Sequence, residues 1–425
     1  MTTRRSHLAL VSAALIAALP GLARAATVEV PAGGLATALA AAAPGDVLRL
    51  LPGEHAGPVT IDRPLTLEGA KGAVVRGDGK GVVVTVTAPD VILRGLEITG
   101  SGLDLERMDA GVRLEKSAVR ARVEGNRIVD NLIGVHVNGA PDSAVRDNLI
   151  EGRRDRRVNE RGNGVWLWNA PGAVVERNEI AFGRDGIFVT TSRKNAFRDN
   201  LMHDVRFAVH YMYTNDSEVS GNRSIRNDLG YALMFSSRLK VLSNLSDGDR
   251  EHGILLNYAN DSLVQGNVVR DGGEKCVFIY DANKNRILEN RFEGCGIGVH
   301  FTAGSERNVI SGNAFIGNRT QVKYVGTRWL DWSYQGRGNY WSDNPAFDLD
   351  GDGIADTPYR PNDLVDQILW TQPLAKLLLN SPAVQLLRWA QSQFPALYPG
   401  GVVDTKPLMR PVDTALAVAT AERAR

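Results

Sequence analysis

Between about residue 110 and residue 325, apolar and polar side chains alternate over stretches of four to six residues, and each stretch is broken by Gly, Asn or Asp. No window of about ten residues carries a 3.6-residue period, so the pattern predicts short strands rather than helices. The strands recur. A small residue followed by an apolar-x-apolar triplet stands at Gly111, Gly134, Gly164, Gly186, Ala208, Gly230, Gly253, Cys276 and Gly298. Asparagine keeps the same beat at Asn126, Asn148, Asn178, Asn200, Asn222, Asn244, Asn267, Asn290 and Asn313, with steps of 22 or 23 residues and one of 30. Helical-pair repeats need about 33–47 residues and propeller blades about 40–45. A leucine-rich repeat needs a Leu-x-x-Leu-x-Leu frame that is absent. The expected fold is all-β: a right-handed parallel β-helix whose coils stack at about 4.8 Å. The Asn column is expected to be a buried, αL-tolerant turn residue passing amide hydrogen bonds from rung to rung. Inward positions are expected to be apolar, as at Val135/Val137, Val165/Leu167 and Ile187/Val189.

Earlier strand-like segments at Val47–Leu51, Val59–Leu67, Ala73–Val86 and Val91–Ile98 extend the solenoid toward the N-terminus, where an Ala-rich helix from Leu35, stopped by Pro44-Gly45, would cap it. Beyond Asn318 the period fails. Trp329, Trp332, Tyr334, Tyr340 and Trp341 are expected to plug the other end, followed by a helical pattern from Asp363 to Ala390 and a loosely ordered tail from Pro399. The expected divisions are residues 1–25, 26–325, 326–360 and 361–425.

Because side chains alternate faces along a strand, the middle residue of each triplet should point outward. That column reads His136, Trp166, Phe188, His210, Ala232, Leu255, Phe278 and His300, and the one two residues on reads Asn138, Trp168, Thr190, Met212, Met234, Asn257, Tyr280 and Thr302. Such an apolar, aromatic face points to a partner or ligand, and its aromatic and His positions are the expected partner-binding set: His136, Trp166, Trp168, Phe188, Phe278, Tyr280 and His300. Met212 and Met234 should be ladder neighbours, with His210 on the same strand as Met212. Two thioethers and an imidazole form a soft ligand set that suits Cu(I) better than Zn(II) or Mg(II). The same methionines would serve equally to pack beneath a partner. His136 and His300 lie three and four rungs from His210, roughly 14 and 19 Å away, too far to share one ion. Met202 is expected in the core, His203 outward, and His252 around a corner from Met234. A polysaccharide lyase, hydrolase or epimerase would need carboxylates, or a base with Arg or Lys, on such a face. These eight coils place none in the two columns; only the edge coil does, with Arg113 and Glu115, read as one solvated pair.

Composition narrows the field. Lysine and arginine total 49 against 48 acids, which removes the basic excess of a nucleic-acid binder. Two cysteines exclude a disulfide-stapled scaffold. Arg4 and Arg5 precede an apolar run from Leu8 to Leu19, and Ala23-Arg24-Ala25 has a signal-peptidase form, so export through a cleavable signal peptide is expected. In that oxidising compartment Cys276 and Cys295 lie on adjacent coils, but pairing requires a bend at Gly294 or Gly296. The 30-residue step inserts a basic loop carrying Arg153, Arg154, Arg156, Arg157 and Arg161, suited to solvent, an acidic partner or lipid headgroups. Asp348, Asp350, Asp352 and Asp356 follow the spacing of a calcium loop with Gly351 and Gly353 as its glycines, although Tyr359 holds the place of the bidentate Glu.

Asn339-Tyr340-Trp341-Ser342-Asp343, followed by Asp348-Leu349-Asp350-Gly351-Asp352-Gly353-Ile354-Ala355-Asp356-Thr357-Pro358-Tyr359, resembles the signature that closes the β-helix of NosD-type proteins. The resemblance implies a periplasmic, non-enzymatic accessory protein for copper-centre assembly in nitrous-oxide reductase. It further implies an ABC-type complex with a membrane permease and a cytoplasmic ATPase, a copper-delivering lipoprotein and the apo-reductase as partners, and a helical C-terminal part that docks the membrane subunit. Transient Cu(I) at His210, Met212 and Met234 accords with it. The chain has no Walker motif, so ATP chemistry would belong to a partner. A carbohydrate-active β-helix enzyme and a metal-free scaffold are the competing readings.

Overall fold

The computed structural model describes residues 25–394 and 400–414; the expected signal segment, apart from Ala25, lies outside the described residues. Each strand of the solenoid pairs in parallel with its equivalent one coil away, and the pairings assemble three long sheets of 13, 12 and 13 strands. The chain visits the sheets in fixed rotation, making a right-handed parallel β-helix. Two sheets are narrow, built mainly from three-residue strands such as Ala196–Arg198 and Leu201–His203. The third is broad, with six-residue strands such as Asp185–Thr190, Phe207–Met212 and Leu229–Met234.

The inward columns of the broad sheet, from Val135/Val137 through Ile187/Val189 to Val299/Phe301, are buried in one continuous axial core. The small-residue column has a steric cause. A Cβ on Gly164 would lie 2.3 Å from Cγ2 of Ile180, and one on Gly253 2.3 Å from Cγ1 of Val269. This column therefore faces inward against a narrow sheet. Cys276 occupies one of its positions and forms a disulfide with Cys295, their Cα atoms 5.6 Å apart. The bend that the pairing requires is at Gly294, whose φ is +69°.

The Asn column is a hydrogen-bonded ladder. Asn200 shows the pattern: its Oδ1 accepts from both the backbone N–H and the Nδ2 of Asn178, and its own Nδ2 donates to Val175 O and to Asn222 Oδ1. The αL geometry lies one residue earlier than expected, at Gly125, Asp147, Arg177, Asp199, Gly221, Ser243, Gly266, Glu289 and Gly312. That residue turns the chain, which leaves the following Asn to aim its amide inward. The ladder also runs further than the repeat, to Asn339, and ends on a carboxylate: Asp404 Oδ2 accepts from Asn339 N and Nδ2 and from the Trp341 indole at 2.7, 3.3 and 2.8 Å.

Both ends are covered. The helix Leu35–Ala41 caps the first coil, and a strand at Thr27–Val30, absent from the sequence reading, pairs with Val47–Leu50. At the other end only part of the aromatic cluster plugs the core. Trp332 and Trp341 are buried, with Trp341 stacked on Phe315 at 4.4 Å, whereas Trp329 and Tyr334 are exposed. A helix at Leu364–Thr371, begun by an Asp363/Asp366 capping box, leads through a short 3₁₀ segment to a second helix, Pro382–Gln393. These helices leave Leu374, Leu377, Leu386 and Trp389 exposed. No helix among the described residues is long and apolar enough to cross a membrane.

The tail corrects expectation. Residues 400–414 return to the solenoid, where Val402–Val403 pairs with Leu330–Asp331 and Asp404 is buried. Asp404→Ala would orphan the Asn339 amide and the Trp341 indole N–H, at a cost of about 3 kcal/mol. Urea unfolding should show the lower midpoint, with Asp404→Asn losing less because it keeps an acceptor. Equal midpoints for all three proteins would mean that the ladder needs no terminator.

Candidate metal-handling face

The strict alternation assumed from sequence is interrupted on the broad sheet. In Asp185–Thr190, Gly186 and Ile187 both face the interior, so the residue before the glycine returns to the outer surface. A third outward column results, in register through Asp185, Phe207, Leu229, His252, Lys275 and Ile297. It carries the charged groups missing from the other two. His252 thus lies on the same sheet as Met234, one strand away, with its ring 5.6 Å from Phe278.

Asp185 is the key addition to the expected site. Its buried carboxylate accepts two hydrogen bonds from Arg206, both 2.8 Å, and one from His210 Nδ1 at 2.9 Å. Burial pushes the carboxyl pKa up, but the hydrogen bonds from His210 and Arg206 outweigh it and hold the group below the ordinary Asp value. With Nδ1–H donated to Asp185, His210 keeps Nε2 as a lone-pair donor. A carboxylate behind a histidine is how proteins fix the tautomer and raise the basicity of a metal ligand. The ring is further held between Phe188 and Phe207, at centroid distances of 4.9 and 5.0 Å. Met212 and Met234 are Cα partners on adjacent strands, both half-buried, and His210 pairs with Ala232, the one small side chain in its column. The signal for Asp185 was its place directly before Gly186, outside the two columns that simple alternation defines.

The rest of the face is less open than its residue types imply. His136, Trp166, Phe188 and His210 form one row of tilted and T-shaped ring contacts, with centroids 5.5, 5.5 and 4.9 Å apart. His136 is only 5 % exposed, in register between Arg113 and Trp166, so it is not the open partner-binding residue expected of it. Phe278 and His300 stack at 4.6 Å, while Trp168 and Tyr280 are exposed. Arg113 and Glu115 do not pair with each other: Arg113 donates to the carbonyls of Arg107 and Met108, and Glu115 accepts from Asn138. Met202 is buried, and His203 bonds to Asp204 on a narrow sheet. Sequence reasoning missed a second aromatic row. Tyr213, Phe235 and Tyr258 follow the Met column, are 55, 37 and 43 % exposed, and stack at 5.2 Å with φ near +50°. That αL corner is shared by Asn169, Thr191 and Asp281 at the equivalent positions, so what sets this row apart is its exposed aromatic side chains.

The two charged loops differ. Arg153 pairs with Asp155, Arg154 pairs with Glu151 and lies over Phe182, and Arg161 donates to Arg156 O, so three of the five arginines are tied within the protein. In the acidic loop, carboxylate oxygens of Asp348, Asp350 and Asp352 lie within 4.8 Å of one another. Asp356 is outside that trio and accepts from Leu349 N, and the Tyr359 hydroxyl donates to Asp343.

A protein of Stutzerimonas stutzeri named as a probable ABC transporter binding protein NosD is 41% identical over 376 residues, which span 85% of this chain and 86% of the relative. The chain belongs to the NosD family. The NosD profile, described as a periplasmic copper-binding protein, matches residues 146–346, a span that holds His210, Met212 and Met234. A Pseudomonas aeruginosa relative of the same name is 42% identical over 398 residues, 89% of this chain and 93% of its own. Solved structures share the fold alone. A mannuronic-acid-specific polysaccharide lyase from human gut microbiota superposes with a TM-score of 0.53 at 12% identity, covering 71% of this chain and 82% of its own. The Dettilon tailspike protein does so with 0.50 at 16% identity, covering 69% and 64%.

In this NosD chain the buried His136 makes a pH signature. Burial pushes its pKa down to about 4, with the Arg113 charge adding to the effect, so the folded state takes its proton less readily than the unfolded state. The associated stability is complete above pH 6.5 and is lost as pH falls toward 4, by about 2 kcal/mol at pH 5. Urea midpoints at pH 7.5 and pH 5 should show a smaller acid loss for His136→Phe than for the wild type; equal losses would rule this source out.

Proposed function

We propose that this chain is the soluble, periplasmic copper-handling subunit of an ABC-type system that serves nitrous-oxide reductase maturation, binding Cu(I) transiently at His210, Met212 and Met234. The observation that carries the reading is the Asp185–His210 hydrogen bond, which leaves Nε2 as a ligand beside two register-paired thioethers. Asp185 acts as a positioning residue. The soft donors hold Cu(I) without redox change, and the shallow, half-buried location suits exchange better than storage. The exposed leucines of the C-terminal helices support docking to a membrane permease, with ATP hydrolysis left to a cytoplasmic subunit; a copper-delivering lipoprotein and the apo-reductase are the exchange partners. Against a carbohydrate enzyme, Asp185 is already bound by Arg206 and His210, and Glu115 of the edge coil accepts from Asn138.

Anaerobic Cu(I) titration against a chromogenic chelator should give one ion per chain. Met212→Leu with Met234→Leu should weaken binding at least a hundredfold, and Asp185→Asn about tenfold to a hundredfold. Unchanged affinity in the double methionine variant would place copper elsewhere, and turnover of uronate polymers would favour the enzyme reading.

We also assign Asp348, Asp350 and Asp352 as ligands of a structural calcium ion, since their oxygens converge and hydrogen bonds from Gly353 and Gly351 hold the Asp348 pKa below its ordinary value. Calcium should raise the thermal midpoint by a few degrees and EGTA should reverse it. An unchanged midpoint in Asp350→Asn with and without calcium, matching the wild type, would remove the assignment.

A further inference from the structure

Around the solenoid, corner arginines pair with a carboxylate one coil away: Arg120 with Asp90, Arg177 with Asp147, Arg238 with Asp216 and Arg250 with Asp228. The pairing is not universal, since Arg193, Arg226 and Arg307 also lack an ion pair among the described residues, but one corner gathers four such arginines. Arg156, Arg157, Arg161 and Arg184 have no acidic partner among the described residues, and Arg184 Nε is buried without a hydrogen-bond partner. The first three belong to the inserted loop. Its C-terminal foot is built into the corner beside the copper face: Arg184 N donates to Gly162 O at 2.7 Å, and Asp185 N donates to Asn163 Oδ1 at 3.3 Å. The foot of the loop therefore lies about one rung, roughly 5 Å, from the strand that begins at Asp185, with Arg184 next to Asp185 in the chain.

We infer that this corner is a landing surface for the carboxylate-rich face of the protein that exchanges Cu(I) with His210, Met212 and Met234; the inference rests on the copper reading above. Four unpaired cations repel a free metal cation, so copper should arrive and leave bound to an anionic carrier whose approach they accelerate. The broad sheet supplies the other half of the footprint. From Asp185 the strand runs five residues, about 17 Å, to Thr190 and the edge where Tyr213, Phe235 and Tyr258 stand exposed. A partner seated on the arginines and on that aromatic row would cover the two methionines between them. A protein occupant fits better than a lipid surface. Seven coil steps, roughly 34 Å, separate the strand Val165–Trp168 from the last broad strand, Thr320–Val325, and the exposed leucines lie beyond it. That distance is several screening lengths of about 8 Å, so a membrane met by the C-terminal end would not feel the loop.

The test uses two synthetic Cu(I)-loaded peptides with one Met-x-x-Met motif, one flanked by glutamates and one by lysines. Stopped-flow transfer to the mature protein in 20 mM salt should be at least tenfold faster from the glutamate peptide, and the ratio should approach one in 300 mM salt. Arg156→Glu with Arg157→Glu should abolish the ratio, with equilibrium Cu(I) affinity and circular dichroism as in the wild type. Equal rates from both peptides, or a ratio that survives in the variant, would overturn the proposal. Cosedimentation with phosphatidylglycerol vesicles that the variant loses, alongside equal peptide rates, would assign the loop to lipid instead. Anisotropy of the labelled, copper-free glutamate peptide separates the two readings. Arginine-dependent binding without any Cu(I) uptake would reject the copper site and keep the acidic-partner surface.

Discussion

The whole molecule depends on one buried hydrogen-bond column. Each ladder asparagine satisfies the backbone N–H of its predecessor, a backbone carbonyl of the coil before it and the next amide in line, so no coil can shift along the axis or around it without orphaning several buried groups at once. This explains why coil length barely varies although the outer residues vary freely. It also explains where variation is admitted. The extra residues of the arginine loop enter at a corner between strands, and Val165–Trp168 still pairs in register with its neighbours on both sides.

Register, in turn, makes the outer face chemically specific. A single residue of slip would turn every side chain of a strand to the other face. With the register held, Met212 faces Met234 across adjacent strands, and a histidine meets a carboxylate three strand positions away in a neighbouring coil. The fold does not supply chemistry by itself, since solved structures of the same architecture include a lyase and a tailspike. What differs is the content of a few columns.

Much of this was legible in the sequence because a solenoid writes its geometry as a period. The Asn beat, the small-residue column, the inward apolar pairs and the Met212/Met234 adjacency all followed from counting. Asp185 escaped because counting assumed strict alternation, while close packing at Gly186 turns two consecutive residues inward. The αL turn was placed on the asparagines themselves, one residue late, because αL tolerance and amide bonding were credited to the same side chain when neighbouring residues divide them. His136 has the identity of an exposed ligand, and only the lateral stack with Trp166 shows that it is covered. Residues 400–414 have no local pattern that holds them: their partners, among them Leu330, Asn339, Trp341 and Tyr359, lie far back in the chain.

That last closure has a kinetic meaning. Coils can form one after another, each using its predecessor as a template, because the strands of the three sheets pair with neighbours about two to three dozen residues away. The end of the stack is different. Until Asp404 arrives, the last asparagine and the Trp341 indole face an open rung with unspent donors, and a chain interrupted anywhere between Trp341 and Asp404 would present a sticky strand edge. The carboxylate thus works as a completion mark: a nearly finished molecule is distinguishable, to a protease or to another copy of itself, from a finished one.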